Sequence, residues 1–206
     1  MAINLVKGQK INLAKGHAGS SSQNIRSFCV GLNWSKIETR GWFGSTNTKD
    51  VDLDASAAVF DKDNKLIDII FFGKLVSQDG AIEHSGDDLT GSSGQNNMDN
   101  EIIAVDLDKL SYNTDKIVFF LNSFNQVDFE TMPYASIRIY EGTPNRVNNV
   151  VANFNVNSDP SFRGKVSMVM GTLYQRNGDW KFSSVGEATD DRELRDTVQT
   201  IIRKFI

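Results

Sequence analysis

Cysteine is nearly absent from this chain. Cys29 stands alone among 206 residues, which excludes an internal disulfide. It has no C-x-x-C mate and no neighbouring base, so it reads as a small buried thiol rather than a nucleophile. Histidine is almost as scarce. His17 and His84 lie far apart, and with one cysteine they do not make a closed zinc site without several carboxylates. No apolar run approaches the ~18 residues of a membrane span. Residues 1–7 lack the apolar core of a signal peptide, so the cytoplasm is the expected location. Excess positive charge is missing too: the net charge of −4 argues against a nucleic-acid partner. No G-x-x-x-x-G-K-[ST] loop, no G-x-G-x-x-G turn and no G-x-S-x-G elbow occurs.

What is abundant is short oxygen-bearing side chains. The chain has 19 Asp and 19 Asn against only 7 Glu. Such residues favour turns over helices, and calcium loops use them. They concentrate first at Asp50-Val51-Asp52-Leu53-Asp54-Ala55-Ser56, just before the apolar run Ala57-Ala58-Val59-Phe60. On a strand, alternate side chains share a face, so Asp50, Asp52 and Asp54 point one way about 7 Å apart. Each neighbouring pair then repels by about 2 kcal/mol at an effective dielectric near 20. A hard cation relieves that repulsion; a solvated acidic edge strand gives the same pattern. An EF-hand is excluded, because its sixth position is Ala55 rather than Gly and its twelfth is Asp61 rather than Glu.

About a dozen short strands can be read along the chain, separated by Gly, Asn and Asp turns. The spacing predicts strands at 3–5, 10–13, 27–34, 53–60, 66–72, 81–84, 101–107, 116–121, 135–140, 150–156, 166–174 and 180–184. Val118-Phe119-Phe120-Leu121 is apolar on both faces and reads as central. Residues 35–49 read as a polar connection around Trp42 and Phe43, and 127–132 as one helical turn stopped by Pro133. His17, in the loop 16–23, reads as solvated. The pattern is that of an all-β sandwich rather than βα units. The end differs: Leu194, Val198, Ile201, Ile202 and Phe205 form a helical stripe, with Asp190 and Glu193 as a capping box. One domain is expected over 1–206, with a C-terminal helix within 190–206 packed on the sandwich.

A second acidic stretch runs from His84 to Glu101, with Asp87, Asp88, Asp99 and Glu101 among many Gly and Asn residues. Taken together, Asp50-Val51-Asp52-Leu53-Asp54-Ala55-Ser56, Gly86-Asp87-Asp88-Leu89-Thr90-Gly91 and Asp99-Asn100-Glu101 resemble the tellurium-resistance TerD family of calcium-binding stress proteins. Softer matches are Leu5-Val6-Lys7-Gly8-Gln9, Val30-Gly31-Leu32-Asn33-Trp34, Ala135-Ser136-Ile137-Arg138-Ile139 and Gly171-Thr172-Leu173-Tyr174. Residues 24–32 are similar to the TerZ-like branch. The resemblance implies a β-sandwich binding one or two calcium ions between acidic strand and acidic loop. The ligands it implies are Asp50, Asp52, Asp54, Asp87, Asp88, Asp99, Asn100 and Glu101. Asn100 stands where the family often has Asp, Asp88 where it often has Asn, and the segment 92–98 is longer and less acidic than the family's.

The resemblance also implies a role in tellurite and stress resistance, with calcium and other stress-resistance proteins as partners and no catalysis. A calcium-dependent small-molecule or carbohydrate-binding module is a second reading, since relatives have been described as cyclic-AMP-binding. Trp34, Trp42 and Trp180 would then offer stacking surfaces. A hydrolase using two carboxylates is a third.

Overall fold

The computed structural model describes residues 3–4, 10–12, 26–40, 45–94, 98–156 and 160–206. His17, Trp42 and Phe43 lie outside the described residues. In chain order the strands are β1 (Ile3–Asn4), β2 (Lys10–Asn12), β3 (Ser27–Trp34), β4 (Ile37–Arg40), β5 (Thr46–Lys49), β6 (Leu53–Asp61), β7 (Leu66–Ile70), β8 (Ile82–His84), β9 (Glu101–Asp106), β10 (Thr114–Ser123), β11 (Ala135–Thr143), β12 (Arg146–Asn155), β13 (Ser167–Arg176) and β14 (Asp179–Thr189). One α-helix among the described residues, α1 (Leu194–Lys204), follows.

Two six-stranded sheets form, in the orders β1-β12-β11-β3-β9-β8 and β2-β14-β13-β10-β6-β7. Their facing sides share one core. From the first sheet it takes Phe28, Val30, Leu32 and Trp34, which alternate along β3. From the second it takes Leu53, Ala55, Ala57 and Val59 of β6 and Ile117, Phe119 and Leu121 of β10. The β-sandwich expectation is met. The 3.6-residue stripe explains the outer layer: Val198 and Ile201 of α1 pack on Ala58, Phe60, Val118, Phe120 and Val169. β10 lies between β13 and β6, and both its faces are covered, which is why its apolar residues do not alternate with polar ones. Among the described residues no helix is long and apolar enough to cross a membrane.

Three local expectations need correction. The polar connection 35–49 contains a hairpin, β4 paired with β5. Their side chains are largely exposed, so no apolar alternation marks them. The capping box does not form. Asp190 pairs with Lys165 instead, and Glu193 caps α1 without a side-chain bond. Ile202, placed on the buried stripe, is 36% exposed at its edge. The turn before Pro133 is a short 3-10 helix, Phe129–Thr131, whose N-cap Asp128 accepts from the Glu130 N–H.

Candidate metal centre

The site sits where β6 enters its sheet. β7 pairs with β6 only from Ala57 onward, so among the described residues the backbone of Ala55 has no strand beside it on that side. Side chains of the other sheet take its place. Glu101, at the start of β9, accepts the Ala55 N–H at 2.8 Å, and His84, at the end of β8, meets the Ala55 carbonyl at 3.1 Å. The Gly86 N–H donates to His84 Nδ1, so the ring proton sits on Nε2, facing Ala55 and Glu101 Oε2.

The connection between β8 and β9 wraps this edge and brings in Asp87. One carboxylate oxygen each from Asp52, Asp54 and Asp87 lies within 4.8 Å of the others. Three oxygens so spaced lie close enough to share one ion at or slightly beyond the ~2.3–2.6 Å at which calcium binds oxygen. Asp52 and Asp54 are buried and Asp87 is exposed, so the group opens to solvent on one side. Asp52 Oδ1 is buried with no hydrogen-bond partner. Among the described residues no Lys or Arg pairs with any of the three.

The electrostatics reflect that lack. Burial pushes the Asp52 carboxyl up to about 6, and the charges of Asp87, Glu101 and Asp88 add to the effect. Burial pushes Asp54 up to about 8, with Glu101, Asp52 and Asp87 contributing. Burial also raises Glu101, against the hydrogen bonds from His84, Ala55 and Asp88. Oxygen donors, an orphaned buried carboxylate atom and uncompensated charge together suit a hard divalent cation.

The other predicted ligands lie outside that group of three and have hydrogen bonds or ion pairs of their own. Asp50 lies before β6, is exposed, and stands 3.4 Å from the Lys36 ammonium. Asp88 folds the loop: its Oδ1 accepts from the Thr90 N–H, the Gly91 N–H and the Thr90 hydroxyl. Its burial is outweighed by these bonds and one from Asn100, which hold its carboxyl below the usual range. Asn100 is a bracket. Its Oδ1 accepts from the Trp34 N–H, and its amide donates to Asp88 Oδ2 and Ser92 Oγ. Gly91 sits at φ +74°, and a Cβ there would stand 2.6 Å from the Trp34 ring, so only glycine closes this loop. Glu101 is fully buried and spends its oxygens on the N–H groups of Ala55 and Asp88.

Asp99 is placed elsewhere. It lies over Gly31, where a Cβ would come within 2.1 Å of its carboxylate. Arg138 Nε and Nη2 donate to its Oδ2 at 3.0 and 2.9 Å. Its neighbours are Cys29 and Tyr140, a small cluster on the outer face of the first sheet. The strand alternation that sends Val30 and Leu32 inward sends Gly31 outward, away from the triplet.

Sequence reading passed over His84 as a positioning group and Asn122 altogether. The register sets Asn122 opposite Asp54, on the face that carries α1. Its amide donates to Ser167 Oγ at 2.6 Å and Thr197 Oγ1 at 2.9 Å, and its Oδ1 is buried without a partner. Only the pairing of β6 with β10 brings it there. The two described tryptophans offer little stacking surface: Trp34 is fully buried, its indole N–H bonded to the Val51 carbonyl at 2.7 Å, and Trp180 packs against the core.

The family model for the TerD domain matches residues 1–200. The chain is 34% identical to the stress response protein SCP2 of Bacillus subtilis (strain 168), over 98% of this chain and 100% of that protein. It is 31% identical to the tellurium resistance protein TerZ of Serratia marcescens, over 99% of each. The crystal structure of a homologue of the telluride resistance protein TerD from Streptomyces coelicolor A3(2) superposes with a TM-score of 0.65 at 17% identity. That match spans 83% of this chain and 94% of the other, and speaks for the fold. With the family model spanning nearly the whole sequence and relatives aligned end to end, the chain belongs to the TerD family of tellurium resistance and stress response proteins.

Proposed function

We propose that this protein binds calcium through Asp52, Asp54 and Asp87. In this reading it serves stress and tellurite resistance without catalysis, through calcium-dependent stability or association. The observation that carries the reading is the triplet of carboxylate oxygens within 4.8 Å, two of its residues buried, with no paired cation among the described residues. Calcium accepts six to eight oxygens at flexible angles, which suits a strand end and a loop better than the strict octahedron of magnesium. One such group occurs among the described residues, which supports one ion rather than two. Bound calcium would supply the positive charge that the side chains lack and fasten the loop around Asp87 to β6.

Direct reduction of tellurite by this chain is a poor alternative. Cys29 is buried, and that burial pushes its thiol up to about 11, suppressing the thiolate.

The test is a thermal melt of chelator-treated protein with calcium titrated back and magnesium as control. At a hundred times the dissociation constant, calcium adds about 2.7 kcal/mol. For a domain of this size that is a rise of roughly 5–11 °C. No calcium-specific rise would sink the proposal.

A further inference from the structure

The end of the sandwich that carries the carboxylates also carries exposed hydrocarbon. The connection after β7 turns tightly, with the Lys74 N–H donating to the Phe71 carbonyl at 2.8 Å, and Phe72 stands on that turn. Phe124 follows β10, its N–H donating to the Asp52 carbonyl at 2.9 Å. The two rings meet edge to face at 5.9 Å, and Phe71 backs Phe72 at 5.3 Å. Phe124 is nonetheless 65% exposed and Phe72 36%. Leu75 and Val76 of the same connection are 41% and 49% exposed, and the Leu75 carbonyl accepts from the His84 N–H at 2.7 Å. Large apolar side chains so close together are held in water at a cost and mark an interaction surface.

Charge decides what fits it. With the carboxylates unfilled, a second copy, an acidic protein and an anionic membrane are all repelled by Asp52, Asp54 and Asp87, so a partner at this face engages through the ion. A fitting partner offers hydrocarbon to the rings and anionic oxygen to the ion beside them. Three carboxylate oxygens fill only part of calcium's coordination sphere, and phosphate oxygens are of the kind that completes it. We propose that Phe72 and Phe124, with Leu75 and Val76, form a docking surface for an anionic phospholipid bilayer, engaged when the neighbouring carboxylates hold calcium. This rests on the calcium reading above. Aromatic rings at a loop tip enter the acyl boundary while the backbone stays at the headgroups, and the ion bridges carboxylate to lipid phosphate.

The test is co-sedimentation of the full chain with phosphatidylcholine vesicles, with and without phosphatidylserine, in calcium and in chelator. Each sample is paired with the calcium melt. The expected result is sedimentation with serine-lipid vesicles in calcium and release by chelator. Phe124→Ser and Phe72→Ser should each weaken it about tenfold or more while keeping the calcium-induced rise in melting temperature. If the melt rises with calcium but the protein stays in the supernatant, the docking proposal is overturned and the calcium reading stands. Wild-type sedimentation of Phe124→Ser, equal sedimentation in chelator, or a calcium-driven dimer lost in Phe124→Ser overturns it as well. If calcium raises no melt, both readings fall together.

Discussion

Asp99 and the Asp52–Asp54–Asp87 group are two ways of burying carboxylate in one molecule. Asp99 has its counter-charge built in. Arg138 lies on the neighbouring strand β11, reaches Asp99 with two nitrogens, and spreads its guanidinium over Tyr140 at 5.1 Å. Gly31 leaves the room. The triplet has no such partner: among the described residues no Lys or Arg pairs with Asp52, Asp54 or Asp87, and Asp52 Oδ1 is buried without a hydrogen bond. A buried carboxylate stays ionised only with compensation. The first site therefore carries its own counter-charge, although burial still raises the Asp99 carboxyl; the second holds protons or waits for an ion.

The largest test breaks the arginine-paired site. Arg138→Met strands Asp99 in the outer cluster and should cost about 3–5 kcal/mol in denaturant unfolding. The rise in stability with calcium should survive unchanged; its loss would mean that the two sites are not separate. Next, Asp52→Asn should abolish the calcium rise of about 2.7 kcal/mol. The metal-free variant should be at least as stable as wild type, because a like charge has gone. A metal-free Asp52→Asn protein that unfolds early would show the carboxylate to be structural.

Acidity separates the sites more gently. Asp52 and Asp54 carry raised values of about 6 and about 8 in the folded chain. A group raised on folding stabilises the fold while protonated, and that contribution is lost as pH climbs through the folded value. Metal-free protein should therefore gain stability as pH is lowered from about 8 to about 5, by at most about 1.4 kcal/mol per pH unit for each proton taken up. Asp54→Asn should flatten the slope. Asp79 and Asp88, held low by their hydrogen bonds, act in the opposite direction only below the ordinary carboxylate range. Calcium titrated near pH 7 should release protons, measurable in weak buffer. The smallest effect is Asp88→Ala, which removes the acceptor for Thr90 and Gly91 and should cost about 1 kcal/mol. It should weaken calcium without abolishing it.

The strands were legible because alternation survives in β3, β6 and β11, and α1 because its stripe is long. The β4–β5 hairpin was not, since a ribbon exposed on both faces carries no such signal. Asp52, Asp54 and Asp87 could be picked out because strand periodicity and loop chemistry are local. The division between Asp99 and Asp87, twelve residues apart in one acidic segment, was not legible. It depends on Asp99 and Asn100 reaching β3 while Asp87 reaches Asp54 of β6, and on an arginine far off in the sequence. Asn122 was invisible for the same reason.

One consequence concerns the solubility of the fold. Past the end of β7, β6 would offer a bare amide and carbonyl at Ala55, the kind of open ribbon on which another chain can template itself. Glu101 and His84 stop that ladder from the opposite sheet. The same two side chains that border the carboxylate group thus act as a seal against edge-to-edge aggregation. Losing either would be felt first as clumping of warmed, concentrated protein, before any change in ion affinity was measured.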